Sequence, residues 1–474
     1  MKRRTFIQNS ALASGLTLID PSHLMAQGIA KDFPVVRVAK GKRNFESSAI
    51  EKAIKEFQKN VKDEELNWLF NNCFPNTLDT TVTYTDKNGK PDTYVITGDI
   101  DAMWLRDSSA QVWPYMQFTA EHKELKNLIA GVINRQTQYV LKDPYANAFY
   151  DDPDKKGEWT SDFTDMQPGV HERKYEIDSL CYPIRLAYNY WKDTGDDSPF
   201  DKDWQMAIKK ILKTFREQQQ KDDRGPYHFQ RETRNATDTR PLKGYGYPVN
   251  PVGLICSAFR PSDDATVFSF LIPSNFFAVV SLKQAAEMME ALDGDAETIS
   301  DLKALASEVD QALKDHAIVT HKKYGKIYAF EVDGFGGHLL MDDSNVPSLL
   351  SLPYLDAVDA KDPIYQNTRK FVLSQDNPFF FKGTAAEGIG GPHVGMDYIW
   401  PMSITMRGLT SSDPAEIKEC ITMLKNTHAG TGFMHEGFNK NDPKDFTRSW
   451  FAWANTLFGE LLWKTYNEYP EALS

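Results

Sequence analysis

Cysteine is scarce in this 474-residue chain, and the four present, Cys73, Cys181, Cys256 and Cys420, show no C-x-x-C spacing. That excludes a zinc ribbon and a thioredoxin-like redox pair. Cys181 and Cys256 stand in apolar surroundings and read as small core residues. A disulfide is chemically allowed outside the cytoplasm, but the spacing pairs none of the four. No internal apolar run reaches the length of a membrane-spanning helix. Positive charge is not in excess: 54 Lys and Arg stand against 66 Asp and Glu, a formal net charge of -12. Phosphate backbones would be repelled, so nucleic acid is excluded as a partner, whereas neutral substrates are not disfavoured. No linker rich in proline, glycine or serine divides the chain, which argues for one large domain.

Hydrophobic residues make up 41% of the chain, enough to bury a substantial core. Aromatic residues are plentiful, with 10 Trp, 20 Tyr and 28 Phe. Flat aromatic faces suit the C–H faces of sugar rings, and they equally fill a large core. The chain begins Met1-Lys2-Arg3-Arg4-Thr5-Phe6, and a short apolar stretch, Ala11 to Leu18, follows. Paired arginines before such a stretch resemble a twin-arginine export signal. The stretch is too short for a stable anchor, and small residues near Ala26 suit cleavage. Residues 1–27 are therefore set aside as a signal peptide, leaving 28–474 as a single domain. The expected location is the periplasm or beyond.

Apolar spacing predicts helices over Ser47 to Phe70, Glu121 to Val140, Ile177 to Lys192, Trp204 to Gln220, Ser274 to Leu292 and Ala296 to His316. Three more are predicted over Asp397 to Arg407, Pro414 to Thr427 and Trp450 to Tyr466. Short strands are expected at Thr80 to Thr85, Thr93 to Thr97 and Ile327 to Val332. Strand and helix do not alternate as a parallel sheet requires. The expectation is an all-α domain, and helical hairpins in this number can close into an (α/α)6 toroid. The polar, glycine- and aromatic-rich segments between helices would then converge at one end as a cleft.

Those segments carry the chemistry. Gly98-Asp99-Ile100-Asp101-Ala102-Met103-Trp104-Leu105-Arg106-Asp107-Ser108-Ser109 combines acids, an arginine and a tryptophan. An arginine fork and carboxylates hold adjacent hydroxyls, and Trp104 can stack on a sugar ring. The alternative is a buried salt-bridge cluster bracing a turn. In His171-Glu172-Arg173-Lys174-Tyr175-Glu176-Ile177-Asp178, the acids Glu176 and Asp178 start a helix, where capping alone could explain one of them. Arg260-Pro261-Ser262-Asp263-Asp264 sets an acid doublet between apolar runs. Burial there would raise a carboxyl pKa, as a general acid requires, although an N-cap pair for the following helix fits as well.

Three later segments add polar groups. Gly336-Gly337-His338 is followed by Met341-Asp342-Asp343-Ser344-Asn345, which superficially resembles an oxygen-ligand metal loop. Its offsets do not match a calcium-binding EF-hand, so a cleft-lining role is the better reading. Glu387-Gly388-Ile389-Gly390-Gly391-Pro392-His393 is glycine-rich but lacks the Lys-Ser/Thr ending of a phosphate loop. Its glycines suit close backbone approach. Gly432-Phe433-Met434-His435-Glu436-Gly437-Phe438 places one glutamate among glycines and aromatics, a setting for a general base.

Taken together, GDIDAMWLRDSS, HERKYEIDSLCYP, FRPSDDAT, IPSNFFA, GFGGHLLMDDSNVPSLLSLPYL, GPHVGMDYIWPM, MHEGF and RSWFAWAN resemble glycoside hydrolase family 125 from about Asn44 to Lys464. The resemblance implies an (α/α)6 fold and inverting hydrolysis of non-reducing terminal α-1,6-linked mannose, with no metal or other cofactor. The partner implied is an α-mannoside oligosaccharide or N-glycan. It also implies an aspartate of the RPSDD motif as acid, Asp263 or Asp264 with preference for Asp263, and Glu436 as base. The composition of the motifs assigns substrate binding to Asp99, Asp101, Trp104, Arg106, Asp107, Ser108, Glu176, Asp178, Arg260, His338, Asp343, Asn345, His393 and His435. Rival readings are another helical-toroid carbohydrate enzyme and a glycan-binding protein without an acid–base pair. A lyase acting on uronic acids would want a basic cleft, which the net charge disfavours.

Overall fold

The computed structural model describes residues 33–120 and 122–474, so the signal read at 1–27 and Glu121 lie outside the described residues. The first helices are α1 (Ser48–Asn60), α2 (Glu64–Cys73), α3 (Asn76–Thr80), α4 (Leu105–Val112) and α5 (Lys123–Lys142). Next come α6 (Ile177–Thr194), α7 (Lys202–Gln218), α8 (Ile272–Ala291) and α9 (Ala296–His316). The last are α10 (Pro363–Val372), α11 (Pro401–Leu409), α12 (Pro414–Thr427) and α13 (Ala452–Glu468). The expected helices are present, with one correction of register. Asp397 to Trp400 is not helical: Asp397 has φ of 71° and Tyr398–Ile399 is a strand. Helix α4 was not expected, because its first two turns carry Arg106, Asp107 and Ser108 instead of an apolar stripe. Residues Val36–Ser474 form one compact unit.

Two kinds of helix follow from two kinds of sequence. On α7, Trp204, Ala207, Ile208, Ile211, Leu212 and Phe215 are buried at helical spacing, leaving the opposite face to solvent. By contrast, every residue of α4 is buried, as are nearly all of α11 and most of α13. These inner helices touch in sequence: α4 packs on α6, α6 on α8, α11 on α13, and α13 on α4. The amphipathic helices lie against them, α9 on α8, α12 on α11, and α5 and α7 beside each other.

The helix starts differ in the same way. Ser47, Asp63, Asp201, Asp295, Asp362 and Asp413 cap α1, α2, α7, α9, α10 and α12 with side-chain oxygens. Helices α4, α6, α8, α11 and α13 begin at Trp104, Glu176, Leu271, Trp400 and Phe451 with no side-chain cap. Short strands lead into several of them. Met103–Trp104 pairs with Ala148–Phe149, which pairs with Val170–Glu172. Phe270–Leu271 joins Glu331–Val332, and Tyr398–Ile399 joins Phe438–Asn439. The pairings tie the starts of the inner helices to neighbouring segments, which also accept first N–H groups: Leu105 N donates to Asn147 O at 3.0 Å and Ile272 N to Phe330 O at 2.9 Å.

Between α8 and α11 the chain runs through a polar turn anchored to its neighbours. The Asp342 carboxylate accepts from Leu349 N (2.8 Å) and Leu350 N (3.0 Å). Tyr182 Oη donates to Val346 O at 3.0 Å, and Tyr354 Oη donates to Glu460 Oε2 on α13 at 2.9 Å. All four cysteines are buried and free, and no helix among the described residues is long and apolar enough to cross a membrane.

Burial pushes the Asp342 carboxyl up to about 8, against the two turn N–H groups that favour its charge. A carboxyl raised on folding stabilises the fold fully below its ordinary pKa near 3.8 and loses that contribution as pH rises through about 8. Thermal melts between about pH 5 and pH 8 should therefore fall with pH in the wild type, and fall less steeply in Asp342→Asn. Equal slopes would show that this carboxyl stays ionised in the fold.

Candidate active site

The Arg106 guanidinium, in the first turn of α4, organises the cleft floor. It lies 2.6 Å from Asp107, 3.2 Å from Glu176, 3.1 Å from Asp178 and 3.1 Å from Asp263. The Trp453 ring covers it from α13 at 5.7 Å. One positive charge cannot neutralise four carboxylates in a buried site, so some must keep a proton. Burial drives Glu176 well above the glutamate range; Arg106 opposes this, and Asp263 and Asp178 add to it. Burial likewise raises Asp178 to about 7 against the pull of Arg106. Neither acid caps α6, so the capping reading of Glu176 is corrected: its carboxylate turns to Arg106 and accepts from Ser179 Oγ at 2.7 Å.

The acid doublet sits in a tight turn, not ahead of a helix. Phe259 and Ala265 bridge across it, and α8 starts only at Ile272, so the N-cap expectation for Asp263 and Asp264 does not hold. Asp263 takes the left-handed conformation with φ of 66°. Strain of this kind costs on the order of 1–3 kcal/mol and is kept where the surroundings fix it. Lys174 Nζ donates to its carbonyl at 2.9 Å, and its N–H donates to Arg260 O at 2.9 Å. The strained turn sends the two aspartates to opposite environments. The Asp263 side chain is 24% exposed, and its Oδ1 accepts from Arg106 Nη2 (3.1 Å) and Asn147 Nδ2 (3.3 Å). The Asp264 side chain is 3% exposed and accepts from Ser262 Oγ at 3.2 Å.

Glu436 lies on the other motif, two residues before the strand that pairs with Tyr398–Ile399. Its side chain is 12% exposed. Thr447 Oγ1 donates to its Oε2 at 2.8 Å and Arg448 Nη1 to its Oε1 at 3.3 Å. Arg448 also bonds Asp99, which ties the first motif to the last. The His393 side chain is only partly exposed, with Asp264 3.7 Å away. Its burial by surrounding protein lowers the imidazole, but Asp264 above all, then Glu436 and Asp263, raise it to about 9. Both candidate catalytic acids are thus within electrostatic reach of one imidazolium.

The other expected residues divide. Trp104 is buried edge-on to His171, with ring centroids 5.0 Å apart, and Ser108 is buried, accepting from Gln136 Nε2 at 2.9 Å. Arg260 is buried against Glu331 at 2.7 Å. Asp343 accepts from Ser262 Oγ at 3.1 Å and from Asn345, and a Cβ at Gly391 would stand 3.2 Å from both its oxygens. Gly391 therefore serves an approach to Asp343, and these residues brace the Asp264 side of the turn. His435 is buried, stacked on Phe446 with centroids 4.0 Å apart, and donates from Nδ1 to Ser449 O at 2.9 Å. Asp101 is well exposed and pairs with Lys155. His338 is exposed in a surface depression with Val319, His321 and Leu340, on a strand that pairs with Glu331–Val332. Among the described residues no group of three or more His, Cys, Asp or Glu could hold a metal ion.

Three functional side chains were missed. Lys174 and Arg448 lie inside motifs whose acids and aromatics drew attention first. Asn147, which also donates to Glu172 Oε2 at 3.1 Å, sits in a segment with no distinguishing pattern.

Two carboxyl groups in differing environments, set in a helical domain, are the equipment of a glycoside hydrolase. The model of the metal-independent α-mannosidases, GH125, matches residues 63–463. The chain belongs to this family. It is 42% identical over 460 residues to the Meiotically up-regulated gene 157 protein of Schizosaccharomyces pombe, covering 93% of this chain and 90% of that one. A metal-independent α-mannosidase of Streptococcus pneumoniae, solved as a non-productive complex with α-1,6-mannobiose, is 43% identical. The two structures agree with a TM-score of 0.85 over 89% of this chain and 99% of that one. A bacterial glucoamylase complexed with acarbose shares the fold at 13% identity, with a TM-score of 0.53 over 89% of this chain and 59% of that one.

Replacing Arg106 with Met would leave four carboxyl groups without their shared cation. Loss of one partner from a buried ionic cluster costs about 3–5 kcal/mol, and the urea midpoint should fall accordingly. An unchanged midpoint would contradict the role given to Arg106.

Proposed function

We propose that the chain is an inverting exo-α-1,6-mannosidase that releases mannose from the non-reducing end of α-mannosides, N-glycans among them. The observation that carries this reading is the pair of half-open carboxyl groups, Asp263 and Glu436, each fixed by donors on its protein side. Asp263 protonates the departing glycosidic oxygen. Glu436 takes a proton from the water that attacks the opposite face of the sugar. Asp263 is preferred to Asp264 because its side chain reaches the cleft, whereas Asp264 is enclosed with Ser262, Asp343 and Arg260. We read the successive contacts of α4, α6, α8, α11 and α13 as an (α/α)6 ring, with the Asp342–Leu355 turn in the remaining place. The kinship with the mannobiose-bound α-mannosidase supports the substrate class. Arg3 and Arg4 ahead of an apolar stretch support export to the periplasm or beyond.

Substituting Asp263→Asn and Glu436→Gln tests the assignment. Each should lower kcat on α-1,6-mannobiose by about 10²–10⁴-fold. On 2,4-dinitrophenyl α-mannoside, whose leaving group needs no proton, Asp263→Asn should recover most of that loss and Glu436→Gln should not. Equal losses on both substrates for Asp263→Asn would remove it as the acid. EDTA should leave the wild-type rate unchanged; inhibition reversed by added metal would contradict the metal-free mechanism.

A further inference from the structure

Glu436 receives its two donors from the chain that doubles back beside it. Thr447 N donates to Gly437 O at 3.0 Å, and Phe438 and Phe446 bridge across the return. His435 Nδ1 fastens the same return by donating to Ser449 O at 2.9 Å. This places Thr447 Oγ1 2.8 Å from Oε2 of Glu436 and Arg448 Nη1 3.3 Å from Oε1. Each carboxylate oxygen has two acceptor positions. One protein donor apiece fixes the plane of the group and leaves a lone pair on each oxygen for water.

A long arginine stem has rotamer freedom to lose, so a single contact would hold the base loosely. Here the guanidinium is itself held from its other side. Its Nη2 donates to Asp99 and, at 3.4 Å, to Thr97 O. The Phe451 ring lies 4.9 Å from its central carbon. Glu436 and Asp99 therefore occupy the two amino groups of one guanidinium. The segment that supplies Asp99 also leads to the acid. Thr97 Oγ1 donates to Asp107 Oδ1 at 2.7 Å, Arg106 Nη1 donates to Asp107 Oδ2 at 2.6 Å, and Arg106 Nη2 donates to Asp263 Oδ1 at 3.1 Å. Base and acid are the two ends of one hydrogen-bonded chain that passes through Thr97.

Resting on the assignment of Glu436 as the base, we propose that Arg448 and Asp99 are its positioning residues: Asp99 holds Arg448, and Arg448 sets the direction in which Glu436 takes a proton from water. Neither touches the sugar, so Asp99 departs from the substrate-binding role that its motif suggested. In the chemical step one water O–H bond breaks and its proton goes to Glu436. The water oxygen forms the new bond to the anomeric carbon with an electron pair of its own. The old C–O pair leaves with the glycosidic oxygen, which takes the proton of Asp263. Glu436 has then lost its charge, but the guanidinium keeps Asp99 as its counter-charge and is not left unpaired. Bulk water removes the proton from Glu436 and the site is restored.

Arg448→Ala should lower kcat by about tenfold to a hundredfold with KM close to that of the wild type. The loss should be the same on α-1,6-mannobiose and on 2,4-dinitrophenyl α-mannoside, because both need attack by water. Guanidinium chloride, well below denaturing concentrations, should restore part of the rate, and potassium chloride at equal ionic strength should not. Asp99→Asn should lower kcat by about threefold to tenfold, and the Asp99→Asn/Arg448→Ala double variant should be no slower than Arg448→Ala alone. A raised KM for Asp99→Asn, or losses that add in the double variant, would mean that Asp99 holds the sugar and would overturn the proposal. So would Arg448→Ala with wild-type kcat, or one that guanidinium does not restore. Should Arg448→Ala not fold, Asp99→Asn decides alone: a lower kcat at unchanged KM supports the proposal, and a raised KM or an unchanged kcat overturns it. A Glu436→Gln enzyme with undiminished kcat would fall on the assignment of the base instead. An inactive Glu436→Gln beside an unimpaired Arg448→Ala would fall on this proposal alone.

Discussion

The guanidinium of Arg106 is the charge around which the active end is assembled. It is buried, covered by Trp453, and faced by carboxyl groups from α4, from the start of α6 and from the strained turn before α8. Such a cluster is unfavourable to desolvate unless geometry and shared protons offset the excess of negative charge. Here both are present. Arg106 places three elements in one register, and the acids it cannot neutralise keep protons. An enzyme that must deliver a proton to a sugar oxygen near neutral pH is served by carboxyl groups held in that condition.

The helix starts support the same arrangement. Six peripheral helices, α1, α2, α7, α9, α10 and α12, satisfy first-turn N–H groups with a Ser or Asp side chain. Three of the inner helices pass their first N–H groups to neighbouring segments instead: Leu105 N donates to Asn147 O, Ile177 N to Ser257 Oγ and Ile272 N to Phe330 O. The short strands are individually trivial, yet they set the spacing between motifs far apart in the chain. Glu436 is positioned by a two-residue pairing with the lead-in to α11, and Arg448 then links it to Asp99.

Much of this was legible from the residues. The amphipathic helices α7 and α12 were found by apolar spacing because a half-exposed helix must alternate faces. Helix α4 was not, since buried polar residues with partners elsewhere in the fold erase the stripe on which such a reading depends. The acid doublet was recognised, but its conformation was not: two adjacent aspartates look like a helix cap until the left-handed backbone of Asp263 and the bridge from Phe259 to Ala265 separate them. Asn147 could not have been found, because a lone amide acquires meaning only from Glu172 and Asp263, residues brought to it by strand pairing.

The central claim is that Asp263 and Glu436 act from opposite faces of one glycosidic bond, with water between sugar and base. Proton NMR of α-1,6-mannobiose during digestion by the purified enzyme tests it most directly. The account requires β-mannose as the first product, equilibrating later to the α anomer. Initial release of α-mannose would contradict it, because retention demands a covalent intermediate and a nucleophilic role for the second carboxylate.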